Sequence, residues 1–204
     1  MATPQTKATR EDWIASALDV LVSEGVEAVR VLSLASRLGV ARSSFYWYFT
    51  NRDELLEVLL QVWSDTNTRG IVDHAARPAP DIGSGVLSVF ECWTDDRIFN
   101  AKLDFAVREW ARRSERVEEA VTAADAQRVE AIAALFERHG YPPREAFVRA
   151  RVLYFMQIGY YALDLGEDLD VRLSYAGDYV HAFTGVAPSP SALGSFVSAV
   201  RSDQ

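Results

Sequence analysis

The chain has 204 residues, 49% hydrophobic and 25% charged, a composition that builds an ordinary globular core and argues against disorder. Its net charge of −8, with an isoelectric point near 4.9, excludes an indiscriminate nucleic-acid coat protein, which needs a broad excess of cations. The lone cysteine, Cys92, excludes a disulfide framework and a thiolate metal cluster.

Met1–Ala8 is polar and lacks the apolar stretch of a secretory signal. No run reaches the roughly 18 apolar residues of a membrane span; the longest, Val152–Leu163, is interrupted by Gln157. A soluble, cytoplasmic protein without a membrane partner is expected. Charge is unevenly spread: Arg30 to Arg52 holds four arginines and no carboxylate, while acids gather in Glu115–Glu137 and Gly166–Asp178. Such segregation suits one small positive face on an otherwise acidic, solvated body.

Helical spacing runs through nearly every segment and strand-like alternation is absent, so the fold class is all-α. Ile14, Ala17, Leu18 and Leu21 fall at i, i+3, i+4, i+7 on a first helix that Gly25 ends. Leu34, Ala35 and Leu38 mark a short second helix stopped by Gly39, and Arg42–Tyr48 is a third. A fourth starts at Asn51, which can cap reciprocally with Glu54, and runs toward His74 on Leu55, Leu56, Leu59, Leu60 and Trp63. Further helices are expected near Ile82–Thr94, Arg97–Arg113, Glu115–His139, Pro143–Leu165 and Asp170–Thr184. Two stretches punctuate them: Arg77–Asp81, and Gly185–Ser191 with Pro188 and Pro190. Gly140 with Pro142 and Pro143 reads as a helix stop followed by a start.

The segment Leu34–Tyr46 has physical content of its own. Two helices crossing steeply through a short turn need a small residue at their approach and a left-handed one in the turn, and Ala35 and Gly39 supply these. Leu34, Leu38, Val40 and Phe45 then share a miniature core with Ile14, Ala17, Leu18 and Leu21. Arg42, Ser43, Ser44, Trp47 and Tyr48 are left facing outward: donors, hydroxyls and aromatics with no acid among them. That face tolerates a phosphate-lined groove.

From Val31 to Leu56 the chain reads V-L-S-L-A-S-R-L-G-V-A-R-S-S-F-Y-W-Y-F-T-N-R-D-E-L-L and resembles the TetR family of bacterial regulators, from its second helix to the start of its fourth. The resemblance implies a three-helix helix-turn-helix domain over residues 1–55 and a helical effector-binding and dimerisation domain over 56–204. It implies that Arg42, Ser43, Ser44 and Trp47 enter the major groove of double-stranded operator DNA. Tyr46, Tyr48 and Arg52, with Ser33 and Arg30, would hold phosphates. Two positions depart from the family pattern: Arg30 and Ala41 stand where a hydroxyl commonly caps a helix, each omission worth about 1 kcal/mol.

Pro143–Leu165 is apolar nearly all round, with Val152, Phe155, Met156, Gly159 and Leu163 on one side and Tyr154, Ile158 and Tyr161 on the other. A helix with two apolar faces has neighbours on both. In the TetR-like arrangement it pairs with the following helix and their copies in a homodimer, through Met156, Gly159, Leu163, Ala176, Tyr179 and Phe183. Phe90, Trp93, Phe105, Trp110, Tyr154, Gln157 and Tyr161 are the candidates to line a pocket for a small apolar effector; its chemical identity is not legible. Gln157 stands out, because a polar group inside an apolar run needs a partner. Asp104 and Arg108, at i, i+4, read as a surface ion pair, and Glu115–Asp125 as a solvated face.

No nucleophile elbow, phosphate loop or zinc-binding helix motif is present. His74, His139 and His181 are scattered near helix ends, as surface or capping residues usually are. The expectation is therefore not an enzyme, with no cofactor and no metal, but a ligand-responsive repressor that reads a palindromic operator as a dimer. The alternative is a helical dimer that senses a ligand or a protein without touching DNA, and such a protein would have no reason to keep Arg30–Arg52 free of acids.

Overall fold

Short polar signals decide where the helices begin. Thr9 caps α1 (Arg10–Glu24) reciprocally: its hydroxyl accepts from the Asp12 amide at 3.1 Å, and the Asp12 carboxylate accepts from the Thr9 amide at 2.8 Å. This pairs two of the amides that a helix start leaves open, and it holds the Asp12 carboxyl below the usual carboxylate range. The coordinates, a computed structural model, describe residues 7–202, so Met1–Thr6 of the polar leading stretch lies outside them.

α2 (Val31–Leu38) ends as expected at Gly39, whose φ of 66° and ψ of 29° are left-handed. The Val40 amide closes onto the Ala35 carbonyl at 3.0 Å, satisfying a carbonyl that the helix end would leave bare. The third helix is two turns of 3-10 helix, Arg42–Trp47, not an α-helix. α3 (Arg52–Trp63) has half of its expected reciprocal cap: Asn51 Oδ1 accepts from the Glu54 amide at 2.9 Å, but the Glu54 carboxylate accepts from Thr50. The helix continues through a π turn, Ser64–Thr68, into α4 (Arg69–Ala76).

α5 (Ile82–Cys92), α6 (Ala101–Ala111), α7 (Glu115–Arg138) and α8 (Pro143–Leu163) follow. α6 begins four residues later than its apolar pattern suggested, because Asp95 takes the Arg97 amide at 2.8 Å and the Arg97 guanidinium, fixing a turn there. The helix expected over Asp170–Thr184 is two, α9 (Leu169–Ser174) and α10 (Ala176–Thr184), broken at Tyr175. A last helix, α11 (Pro190–Ser202), stands where only a Pro-punctuated stretch was expected. Ser189 Oγ accepts from the Ala192 amide at 3.2 Å, Pro190 fills the first turn, and Phe196 and Val200 are buried. Among the described residues no strand occurs, and no helix is long and apolar enough to cross a membrane.

The contacts group into two compact units. One runs up to Asp65 and includes Lys102–Val121; the other comprises Thr66–Ala101 and the chain from Thr122 onward. In the first, α1 packs on α2 and α3. Its buried stripe is Trp13, Ala17, Val20 and Leu21, with Ile14 and Leu18 only half-buried; the spacing i, i+4, i+7, i+8 served as well as the expected one, and the larger side chain went inside. Asp104, read as a surface residue, is fully buried: it accepts from Trp63 Nε1 and from Arg108 Nε, each at 2.8 Å. A buried carboxylate needs such donors.

In the second unit α5 packs against α4, α10 and α11, and α10 against α8. Gly70 is required there, since a Cβ would come within 2.7 Å of the Ile98 carbonyl oxygen. Arg128 is also buried, on a helix whose Glu115–Asp125 stretch is otherwise solvated along one side; it donates to Tyr154 Oη at 2.9 Å and to Thr68 Oγ1 at 3.1 Å. Burial drives the Cys92 thiol well up, so it is no nucleophile.

His74, expected at the surface, is buried, with Nδ1 2.8 Å from the Gly70 carbonyl. Burial disfavours the imidazolium and lowers its pKa below the ordinary 6.5, outweighing the Gly70 bond. The unfolded chain then binds a proton more readily, so His74 supports the fold above pH 6.5 and this support is lost as pH falls through the folded-state value. The melting temperature is expected to drop between pH 7.5 and 5, and His74→Asn, which can keep a donor on Gly70, to flatten part of that drop. An unchanged pH slope in the variant would refute the assignment.

Candidate functional site

One buried ring orients the outward face. Phe45 is completely buried, meeting Trp13 edge-on at 5.2 Å and stacking on Phe49 at 5.1 Å. With Phe45 turned inward, the 3-10 geometry of three residues per turn carries Ser43, Tyr46 and Trp47 to the outside, Tyr46 exposed by 48% and Trp47 by 64%, while Arg42, in register with Phe45 one turn earlier, is exposed at the start of the segment. Arg42 Nη2 donates to Tyr46 Oη at 3.0 Å and its guanidinium lies 5.8 Å from that ring, so the cation is held on the surface. Ser44 is half-buried and donates its hydroxyl to the Ala41 carbonyl at 2.8 Å, where it offers less to a partner than Ser43. Tyr48 is also half-buried. On α2, Ser33 is exposed beside Leu32, itself 70% exposed.

The remaining arginines divide by role. Arg30 makes no side-chain cap for α2; its Nε donates to the Glu27 carbonyl at 2.9 Å, leaving the rest of an exposed guanidinium outward. Arg37 is paired with Glu24. Arg52, expected on phosphate, commits Nε to the Val29 carbonyl at 2.6 Å and Nη2 to the Val26 carbonyl at 2.7 Å. It therefore pins the start of α3 to the turn ahead of α2. Two cations missed in the sequence lie beside this face: Lys7 Nζ is 5.3 Å from the Trp47 ring and the Arg10 guanidinium 5.2 Å from the Phe49 ring. Their place at the start of α1, whose first turn faces the aromatic run, was the available signal.

Comparison with known proteins bears on this unit first. Residues 14–59 match the family model described as bacterial regulatory proteins, tetR family. Residues 14–59 are thus TetR-like. It is 38% identical over 61 residues to the class C tetracycline repressor protein of Escherichia coli, a stretch covering 30% of this chain and 28% of that repressor; the matched segment is thus under a third of that relative's length. The all-helical fold as a whole is similar to the crystal structure of Mycobacterium smegmatis AmtR, with TM-score 0.65 and 16% identity over 98% of this chain and 96% of that one. It is also similar to the multidrug binding protein EbrR complexed with imidazole, with TM-score 0.54 and 18% identity over 91% and 98% of the two chains.

Outside the TetR-type domain, the second unit holds a cavity of about 60 Å³ between α5, α8, α9, α10 and α11. Phe90, Trp93 and Gln157, all expected as pocket residues, line it. Tyr161 lies close by, stacked on Phe99 at 5.8 Å and donating to the Trp93 carbonyl at 3.0 Å; burial raises its phenol. The other three go elsewhere. Tyr154 donates to Asp125 Oδ1 at 2.6 Å in the Arg128 cluster, while Phe105 and Trp110 lie in the first unit, lining a groove with Leu21 and Val26. Of the residues expected between subunits, Met156, Ala176 and Tyr179 border the cavity and Phe183 is buried within the chain.

α8 splits into two faces. Ala146, Ala150, Leu153, Tyr154 and Gln157 are buried, whereas Phe147, Val148, Val152, Phe155 and Leu163 are exposed, Leu163 by 70%. The exposed face continues onto α10 through Tyr175 and Tyr179, and a groove between the helices is lined by Val148, Val152, Ala182 and Phe183. Gly159 lies along this face with open space at its Cα.

The two kinds of arginine separate experimentally. Arg52→Ala removes a charged donor from two main-chain carbonyls and is expected to lower unfolding free energy by about 1–3 kcal/mol. Arg42→Ala, on the surface, should change it by less than about 0.5 kcal/mol. Thermal or urea unfolding of both variants checks this, and equal losses would show that Arg52 is no strut.

Proposed function

We propose that this chain is a ligand-responsive transcriptional repressor that binds a palindromic operator as a homodimer and is released by a small effector. The observation that carries the reading is the acid-free face of Arg42, Ser43, Tyr46 and Trp47, pushed outward by Phe45 in a domain of TetR type. Arg42 supplies a guanidinium fork that fits the acceptor edge of guanine, Ser43 a hydroxyl, and Trp47 an apolar surface for thymine methyls. Tyr46, Arg30, Ser33 and Lys7 flank that set and suit phosphate oxygens. Ser44, Tyr48 and Arg52 support the face from within.

Dimer formation is supported by the exposed apolar stripe of α8 and α10, since a monomer rarely leaves so large a contiguous apolar patch in water. Val152, Gly159, Leu163, Tyr175 and Tyr179 would form its centre. A two-fold pair of reading faces fits two half-sites about 34–36 Å apart, one helical turn of DNA. The cavity of the second unit is where an effector would act, and a hundredfold loss of DNA affinity requires a coupling free energy of about 2.7 kcal/mol.

Footprinting on DNA flanking the gene, at stated salt, is expected to show two protected half-sites in inverted repeat. Arg42→Ala should weaken binding by about 1–3 kcal/mol, concentrated on particular base pairs. Uniform weakening across sequences would reassign Arg42 to phosphate, and no protection at all would refute the reading. Sedimentation at micromolar concentration is expected to give a dimer, with Val152→Glu a folded monomer; a wild-type monomer would rule out the dimer.

A further inference from the structure

Two buried donors in the wall of the second unit's cavity lack an acceptor in full hydrogen-bond geometry. Trp93 is 4% exposed and Gln157 7%, and both residues border the cavity; the Trp93 indole Nε1 is buried without a hydrogen-bond partner, and the Gln157 amide Nε2, with the Tyr161 phenol as its polar neighbour, is buried without a hydrogen bond of full geometry. Leaving such a donor unmet costs about 1–3 kcal/mol, so two in one small space is an unusual expense. A third donor group borders the same space: the Arg172 guanidinium, 4.8 Å from the Tyr160 ring. The one carboxylate there, Glu167, accepts from Tyr160 Oη at 2.9 Å. The rest of the wall is largely apolar and aromatic, with Phe90 set 5.8 Å from Trp93 and 6.4 Å from Phe196.

We propose that this cavity binds a single-ring aromatic molecule bearing a carbonyl or carboxylate oxygen, which accepts from Trp93 Nε1 and Gln157 Nε2. This rests on the ligand-responsive reading and supplies the chemistry of the effector. Size suits one ring: about 60 Å³ has room for roughly four to six waters, comparable to one substituted benzene ring. Polarity sets the functional group. An indole N–H can only donate, so a hydrocarbon would leave it bare and an ammonium would meet it with like polarity. Arg172 at the border favours partial or full negative charge on the incoming oxygen. A site built to hydrogen-bond its ligand discriminates strongly against an isostere that cannot, because its own buried groups stay unpaired.

Calorimetric titration of the full chain with acetophenone, benzoate and α-methylstyrene tests this, the last being a planar isostere of acetophenone without the oxygen. Acetophenone or benzoate is expected to bind at least tenfold more tightly than α-methylstyrene. Gln157→Leu and Trp93→Phe should each reduce that preference to within about threefold while α-methylstyrene binds as before. Gln157→Leu is also expected to melt at or above the wild-type temperature, showing that the fold survives. Equal affinity for the three compounds, binding of none at millimolar concentration, or a preference unchanged in both variants would overturn the proposal. DNA binding measured without ligand separates the two readings: oxygen-selective binding by a chain that ignores its flanking DNA keeps the ligand class and removes the repressor, and the converse result does the reverse.

Discussion

Burial of Phe45 is the constraint from which the exposed face follows. A phenyl ring taken fully out of water contributes about 1.5–3 kcal/mol, and this one also meets two other rings in favourable edge-on and stacked geometries. In a segment of only six residues, fixing one side chain inward fixes the azimuth of all the others. Ser43, Tyr46 and Trp47 do not choose solvent for themselves; they face it because the backbone is anchored from behind, and Arg42, in register with Phe45, is held on the surface by its hydrogen bond to Tyr46. Arg52 secures the same geometry from the side, through carbonyls that precede α2. The face is thus held by apolar packing and main-chain hydrogen bonds, with one hydrogen bond of its own between Arg42 and Tyr46.

The second unit solves a different problem. α8 carries too much apolar surface for one chain to cover, and the buried half is chosen by small residues: Ala146 and Ala150 allow close approach on the side where Leu153 and Tyr154 enter the core. The larger residues Phe147, Val152, Phe155 and Leu163 remain outside. Arg151 lies over both Phe147 and Phe155, at 5.5 and 4.7 Å, which shields part of that surface with a cation but leaves Val152 and Leu163 bare. Packing logic alone therefore leaves the stripe incomplete within a single chain.

Which features were legible in the sequence follows from how locally they are determined. The helix-turn-helix was readable to within a residue or two because Ala35, Gly39, Phe45 and the Asn51 cap each act over one turn. Thr9 with Asp12 would have been equally readable. Burial of charged and polar residues was not: Asp104, Arg128 and His74 sit inside because of partners distant in sequence, Trp63, Tyr154 and the Gly70 carbonyl among them. No periodicity encodes such pairs. α11 was not anticipated, because Gly185–Ser191 reads as punctuation between helices while Pro190 in fact starts one. The pocket candidates divided for a related reason: aromatic spacing finds buried faces, but only tertiary packing decides that Phe90 and Trp93 border a space while Phe105 and Trp110 belong to the other unit.

Gln157 ties these strands together. At its position a leucine would have matched the hydropathy of α8 and removed an unmet donor, so the ligand-free chain is less stable than it could be. Such a deficit has use only if something restores it. A ligand that satisfies the donor binds the folded chain and not the unfolded one, and stabilises it by RT ln(1 + [L]/Kd), about 2.7 kcal/mol at a hundredfold excess over Kd. Stabilisation by itself is not a signal, however. To change DNA affinity the ligand must prefer one arrangement of the chain over another, and a hydrogen bond is suited to that preference because its strength depends on direction as well as distance. An unmet polar group set among rings is therefore the kind of element that makes a cavity responsive to shape as well as to occupancy.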